Sequence, residues 1–194
     1  MYPLIGISGL IGSGKSAVAR LVAEAGYYVL HADDEAHVVY ATNTLVRSQL
    51  AQTFGPEILT AEGVDRVRLG SRVFADPNEL AKLEAIIHPA LALHLQARLS
   101  KERSLHPVFL EAALLPKWPD LLASCDQVWE VWAPETLRLS RVVARGLSVA
   151  EANKRIEQQR ILPALDHRCV VRVENAASLL ELDQHIQTLL HLLR

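Results

Sequence analysis

Eight consecutive residues, Gly9-Leu10-Ile11-Gly12-Ser13-Gly14-Lys15-Ser16, match the pattern G-x-x-x-x-G-K-[ST]. Each residue type suits a chain of phosphates. Glycines carry no Cβ and tolerate positive φ, so successive backbone N–H groups can curl around an anion. A helix starting here would add its positive end. Lys15 brings a mobile charge to the β- and γ-phosphates, and the Ser16 hydroxyl is placed to hold Mg²⁺. Gly9, Gly12, Ser13, Gly14, Lys15 and Ser16, with Ala17 following, are therefore the candidate ATP-binding residues. The competing reading is a chance match in a glycine-rich turn. The context argues against it, because the motif lies between a predicted strand and a predicted helix.

Other residues could do chemistry around bound phosphates. Asp33 and Asp34 follow the second predicted strand. A carboxylate there can take the proton of an acceptor hydroxyl, or it can cap a helix; one of the two can do each. Arg138, Arg141 and Arg145 recur at i, i+3 and i+7 and share a helix face. They form either a solvated face paired with acids such as Glu135, or a lid that lays positive charge over the transferred phosphoryl group. Glu111 ends an apolar strand, either as an acid holding Mg²⁺ through water or as a structural strand-end charge. His88, before Pro89, is either a satisfied structural histidine or an acceptor contact. Trp118, Trp129 and Trp132 read as core.

Apolar runs alternating with helical patterns must position these groups, which predicts an α/β chain around a parallel sheet. Strands are predicted over 2–8, 27–30, 108–110, 127–132 and 170–173, and a helix over 15–25. Residues 42–103 read as helical, broken at Gly55-Pro56, Gly63, Asp76-Pro77 and His88-Pro89, with no convincing strand. A helix from Pro134 to about 145 is followed by Ser148 with Glu151 three residues on, a capping box opening a helix to about 160. A last helix starts at Ser178.

The whole chain of 194 residues fits one domain, with half its residues apolar and 22% charged. A net charge of -2 gives no excess of positive charge for nucleic acid or an anionic membrane. Two cysteines without CxxC spacing exclude a disulfide framework and point to a reducing compartment. No apolar run approaches a membrane span of ~18 residues, and Met1-Tyr2-Pro3 lacks a basic leader, so a cytoplasmic protein is expected. No Asn-Lys-x-Asp stretch for guanine is present. A small-molecule kinase is favoured over a GTP switch or a motor.

The chain resembles the dephospho-CoA kinase family. Ser8-Gly9-Leu10-Ile11-Gly12-Ser13-Gly14-Lys15-Ser16 is similar to that family's T-G-G-I-G-S-G-K-S. His31-Ala32-Asp33 stands where the family has D-A-D, and Val73-Phe74-Ala75-Asp76-Pro77 with Ile86-Ile87-His88-Pro89 looks like its F-x-[ND]-P and L-x-H-P. Ala133-Pro134-Glu135-Thr136, Arg141, Arg145, Gly146-Leu147-Ser148, Arg155 and Gln159 look like its lid, and Asn175 follows the last strand as the family's asparagine does. The sequence departs at Leu10, His31 and His37, at Glu111 to Lys117, at the lid spacing after Arg145, and at Cys169-Val170.

The resemblance implies a three-layer P-loop NTPase fold of about five parallel strands, with a helical acceptor-binding insertion over about 42–103 and a short lid over about 134–160. It implies transfer from ATP, with Mg²⁺, to the ribose 3′-hydroxyl of dephospho-CoA by a monomer or weak homo-oligomer. Asp33, Lys15, Arg141 and Arg145 are then the catalytic set, with Arg138 solvated and Asp34 left as the helix cap. Asn175 joins the ATP site, and Asp33, His88 and Glu111 the acceptor site. Two alternatives remain: a P-loop kinase for a nucleoside, nucleotide or sugar acid, and a nucleotide-binding regulator without turnover.

Overall fold

The computed structural model of the chain describes residues 1–73 and 76–193. Along the chain run β1 (Leu4–Ser8), α1 (Lys15–Glu24), β2 (Tyr28–His31), α2 (Ala32–Thr42), α3 (Thr44–Phe54), β3 (Leu59–Thr60), β4 (Gly63–Val64) and α4 (Arg66–Val73). There follow α5 (Pro77–Glu102), β5 (Val108–Glu111), α6 (Pro119–Ser124), β6 (Gln127–Trp132), α7 (Glu135–Ala144), α8 (Val149–Gln159), β7 (Val170–Glu174) and α9 (Leu179–His191). The elements fall into two compact units, Met1–His31 with Leu99–Arg194, and Ala32–Arg98.

The first unit is built on a parallel sheet of order β2-β5-β1-β6-β7. The central strand β1 is buried along its whole length, as expected of a parallel strand covered on both faces. Ile5 and Ile7 join Phe109, Trp129, Val131 and Val173 on one face, under Val18, Ala19 and Val22 of α1 and Leu182, Ile186 and Leu190 of α9. Each large apolar side chain buried there contributes about 1.5–3 kcal/mol. Gly6 faces the other way, towards Leu115 and Cys125. Burial pushes the Cys125 thiol up to about 12, so it is a packing group and not a nucleophile. The capping boxes at Ser148–Glu151 and Ser178–Glu181 both form and open α8 and α9.

The Ala32–Arg98 unit buries Val39, Val46, Leu50, Phe54, Ile58, Leu69, Ile87, Leu91 and Leu95. Asn43 caps α3 by accepting from the Val46 N–H at 3.1 Å. Arginines close its turns: Arg72 donates to the Phe54 carbonyl at 2.7 Å and Arg68 to that of Glu57 at 2.7 Å.

The second compact unit begins at Ala32, where α2 follows directly on β2. Several expectations are corrected. A hairpin of two residues a side, β3 with β4, lies in the stretch read as strandless; it is too short to show alternation. The helix α5 runs straight through His88-Pro89. Pro89 takes one donor from the helix, but Ile87, Leu91 and Leu95, spaced by four, hold that face in the core. Trp118 and Trp129 are buried, whereas Trp132 is partly open with the Arg172 guanidinium 4.2 Å over its ring. Phe74 and Ala75 of the F-x-[ND]-P stretch lie outside the described residues. Among the described residues no helix is long and apolar enough to cross a membrane.

Candidate active site

The loop between β1 and α1 is shaped by its glycines. Gly14 precedes α1 in the left-handed region, at φ 100° and ψ 24°, and turns the chain into the helix. Gly12 has φ 76°, and a Cβ there would stand 2.5 Å from the Arg138 carbonyl oxygen. At Gly14 a Cβ would collide with the Asn175 side-chain amide. These glycines therefore do more than leave room for phosphate: α7 and the segment after β7 close against the loop itself.

That closure has a definite hydrogen-bond pattern. Arg141 donates to the carbonyls of Gly12 at 3.4 Å and Ser13 at 3.2 Å. Its other terminal nitrogen donates to the Asn175 carbonyl at 2.9 Å and to Asn175 Oδ1 at 3.3 Å. The Asn175 amide donates to the Ser13 carbonyl at 2.8 Å. Gln159, at the end of α8, accepts from the Ile11 N–H at 2.5 Å. Lys15 reaches back over the loop to the Leu10 carbonyl at 3.4 Å. With the carbonyls of residues 12 and 13 engaged from one side, the loop cannot turn them towards an anion. The first turn of α1 directs its N–H groups back towards the loop, as every helix start does, with the Ala17 N–H bonded to the Gly14 carbonyl at 2.9 Å. The arrangement suits a phosphate chain. Ser16 is exposed on that first turn, and the buried Ser13 hydroxyl has no partner among the described residues.

The three arginines on and just after α7 do different things. Burial, and then the neighbouring charge of Arg145, hold the Arg141 guanidinium below its usual pKa. Arg141 thus sits in the loop's wall, while Arg145, at the end of α7, is exposed. Arg138 is not solvated as expected. It is only 6% exposed, donates to the Ile11 carbonyl at 3.5 Å and pairs with Glu135 at 3.3 Å. The i, i+3 spacing with Arg141 turned it to the loop, and only the approach of α7 to Gly12 reveals that this face is covered. Gln159, which the resemblance places in the lid, makes a further loop contact to a residue 148 positions away.

On the opposite side of β1, Glu111 closes β5 and His31 closes β2, directly in register. His31 Nδ1 lies 3.1 Å from Glu111 Oε2. Glu111 therefore has a structural partner, which the sequence left open. Asp33 and Asp34 are both exposed in the first turn of α2. Because α2 starts at Ala32, neither precedes it, and Asp34 is not the helix cap that was expected. Their charges instead complement the positive end of the helix from within. His88 lies half-buried on α5, in the Ala32–Arg98 unit with Asp33.

The sequence model of the dephospho-CoA kinase family matches residues 3–181, from before β1 to within α9. A dephospho-CoA kinase of Anaeromyxobacter dehalogenans is 39% identical over 181 residues, covering 90% of this chain and 84% of its own. Among solved structures, a Thermus thermophilus protein is 35% identical with a TM-score of 0.72 and full coverage of both chains. The dephospho-CoA kinase of Campylobacter jejuni shares the fold, with a TM-score of 0.67 at 20% identity, covering 98% of this chain and 96% of its own. A match that takes in the loop, both compact units and the segment around Asn175 leaves one assignment: the chain belongs to the dephospho-CoA kinase family and is a kinase.

Proposed function

We propose that this kinase transfers the γ-phosphoryl group of ATP to the ribose 3′-hydroxyl of dephospho-CoA, giving coenzyme A and ADP. The observation that carries the reading is the loop of residues 9–14, whose carbonyls are engaged by Arg141 and Asn175 beside the N-terminus of α1.

Binding comes first. Gly9, Gly12, Ser13, Gly14 and Ala17 supply the backbone of the phosphate cradle, and Asn175 supports it from below the loop. Lys15 leaves the Leu10 carbonyl for the β- and γ-phosphates. Among the described residues no group of three or more His, Cys, Asp or Glu side chains could hold a metal alone. An exposed Ser16 hydroxyl fits Mg²⁺ that arrives with the nucleotide and keeps most of its waters. Ser16 would hold the ion there, and the chemistry it would supply is positive charge against the phosphates.

The chemistry then needs a base and charge over the equatorial oxygens. Asp33, exposed two residues past β2, takes the proton of the 3′-hydroxyl as that oxygen bonds to the γ-phosphorus. The bond from that phosphorus to the β–γ bridging oxygen breaks, and ADP leaves with the electron pair. Lys15, Arg141 and Arg145 offset the charge that develops. Arg145, exposed at the end of α7, is the arginine free to approach the phosphoryl group as the lid over 134–160 settles. The Ala32–Arg98 unit contributes to acceptor binding through His88, and Glu111 contributes through His31.

The test is ADP release from Mg-ATP with one acceptor at a time: dephospho-CoA, a nucleoside, a nucleoside monophosphate and a sugar acid. Release with dephospho-CoA at rates at least tenfold above the others is expected. Preference for another acceptor would overturn the substrate assignment, and no acceptor-dependent release at all would favour a nucleotide-binding regulator.

A further inference from the structure

The pair His31–Glu111 sits where the reaction needs selectivity, and no part of the phosphate cradle explains it. Its position follows from the register of the sheet. Val29 pairs with Phe109 and His31 with Glu111 across β2 and β5, while Ile5 pairs with Phe109 and Ile7 with Glu111 across β1 and β5. Ile5, Ile7 and Phe109 belong to the core under α1. His31 and Glu111 therefore share the rung of Ile7, two residues past Phe109 on the same face of the sheet, at the strand ends from which β1 enters the phosphate loop. Arg138, Arg141, Gln159 and Asn175 all come to the loop from the β6–β7 side. On the β5–β2 side stands this pair, and the chain leaves it directly for Asp33.

The chemistry of the pair is directional. An ionised carboxylate only accepts hydrogen bonds, so the contact at 3.1 Å requires a proton on His31 Nδ1. In the neutral ring this leaves Nε2 as an acceptor, with its orientation held by Glu111. Glu111 is buried to 9% exposure, so it is fixed, whereas the His31 side chain remains 37% exposed at the carboxyl edge. An oriented ring with a free acceptor nitrogen is suited to a ligand that donates a hydrogen bond. The internal, fully ionised phosphates of a nucleotide have no such proton; a hydroxyl has.

We infer that His31 is a specificity-determining residue that accepts a hydrogen bond at Nε2 from a hydroxyl of the acceptor, and that Glu111 is the positioning residue that orients it. The inference rests on the proposed transfer to a sugar hydroxyl and adds the group that recognises it.

Two amide substitutions separate recognition from structure, because asparagine places its amide near the Nδ1 position and glutamine near the Nε2 position. His31→Asn keeps a donor for Glu111 and loses the Nε2 contact. It should melt like the wild type and raise KM for dephospho-CoA roughly three- to tenfold, the factor carried by one hydrogen bond, with KM for ATP unchanged. His31→Gln should recover most of the acceptor KM. Glu111→Gln, which removes the orienting charge, should raise the acceptor KM by less than His31→Asn. An unchanged acceptor KM in His31→Asn, or a rise confined to ATP, would overturn the inference. Wild-type protein that does not turn over dephospho-CoA would instead overturn the proposed function, so the two failures are distinguishable.

Discussion

Replacing Arg138 by alanine tests how α7 is joined to the phosphate loop. The residue is 6% exposed, and its guanidinium spans from the Ile11 carbonyl to Glu135. Removing it leaves no orphaned acid, because Glu135 keeps Arg160 at 3.1 Å. The loss is therefore chiefly packing of the stem, which at about 0.8 kcal/mol per buried methylene amounts to roughly 2–3 kcal/mol. For a chain of this size each kcal/mol lowers Tm by about 2–4 °C, so a fall of about 4–12 °C is expected. Thermal melts followed by circular dichroism measure it, with KM for ATP determined on the same preparations. Arg138→Met, which keeps the apolar stem, should recover more than half of the stability while the loop contact stays lost. Arg145→Ala, at an exposed position, should leave Tm unchanged and lower kcat. Arg138→Ala melting within about 1 °C of the wild type, a change fit for an exposed pair, would refute the reasoning and return Arg138 to solvent.

Gly12→Ala should destabilise the chain and abolish turnover, because φ 76° is hostile to a Cβ and the collision is with the Arg138 backbone rather than a movable side chain; a well-folded, active variant in melts and assays would contradict that. Asp33→Asn should lower kcat by ~10²–10⁴-fold with KM for ATP kept, since an amide cannot take the hydroxyl proton, and near-normal kcat would remove Asp33 from the base role. The Ser178 hydrogen bonds hold the Glu181 carboxyl below its usual pKa. A depressed folded pKa means stability present above the unfolded value and lost as pH falls through the folded one. The Tm difference between wild type and Ser178→Ala should therefore shrink between pH 7 and pH 3, and a constant or growing difference would count against the cap's charged partner.

Much of this fold is written locally. The loop glycines, the strand at Gln127–Trp132 and the two Ser/Glu capping boxes are legible because each depends on residues within a few positions of one another. What could not be read depends on partners far along the chain. Arg138 looked solvated because nothing in its own helix says that residue 11 lies against it. Gln159 meets the loop across 148 residues. Pro89 looked like a break because its cost is local, while the burial of Ile87, Leu91 and Leu95 that keeps α5 continuous is tertiary. The Asp33-Asp34 pair signalled a helix start correctly but not its first residue, so the cap was assigned to a residue inside the first turn. His31 was visible only as a departure from a family pattern; its meaning needed the β2–β5 register that sets it against Glu111.

The central claim is transfer of one phosphoryl group to one hydroxyl. Incubating the protein with Mg-ATP carrying a labelled γ-phosphate and dephospho-CoA, then locating the label on the isolated product by phosphorus and proton NMR, tests it directly. The account predicts coenzyme A with the label at the ribose 3′ position, formed in step with ADP. A label at any other position, or ADP formed with no labelled coenzyme A, would contradict it.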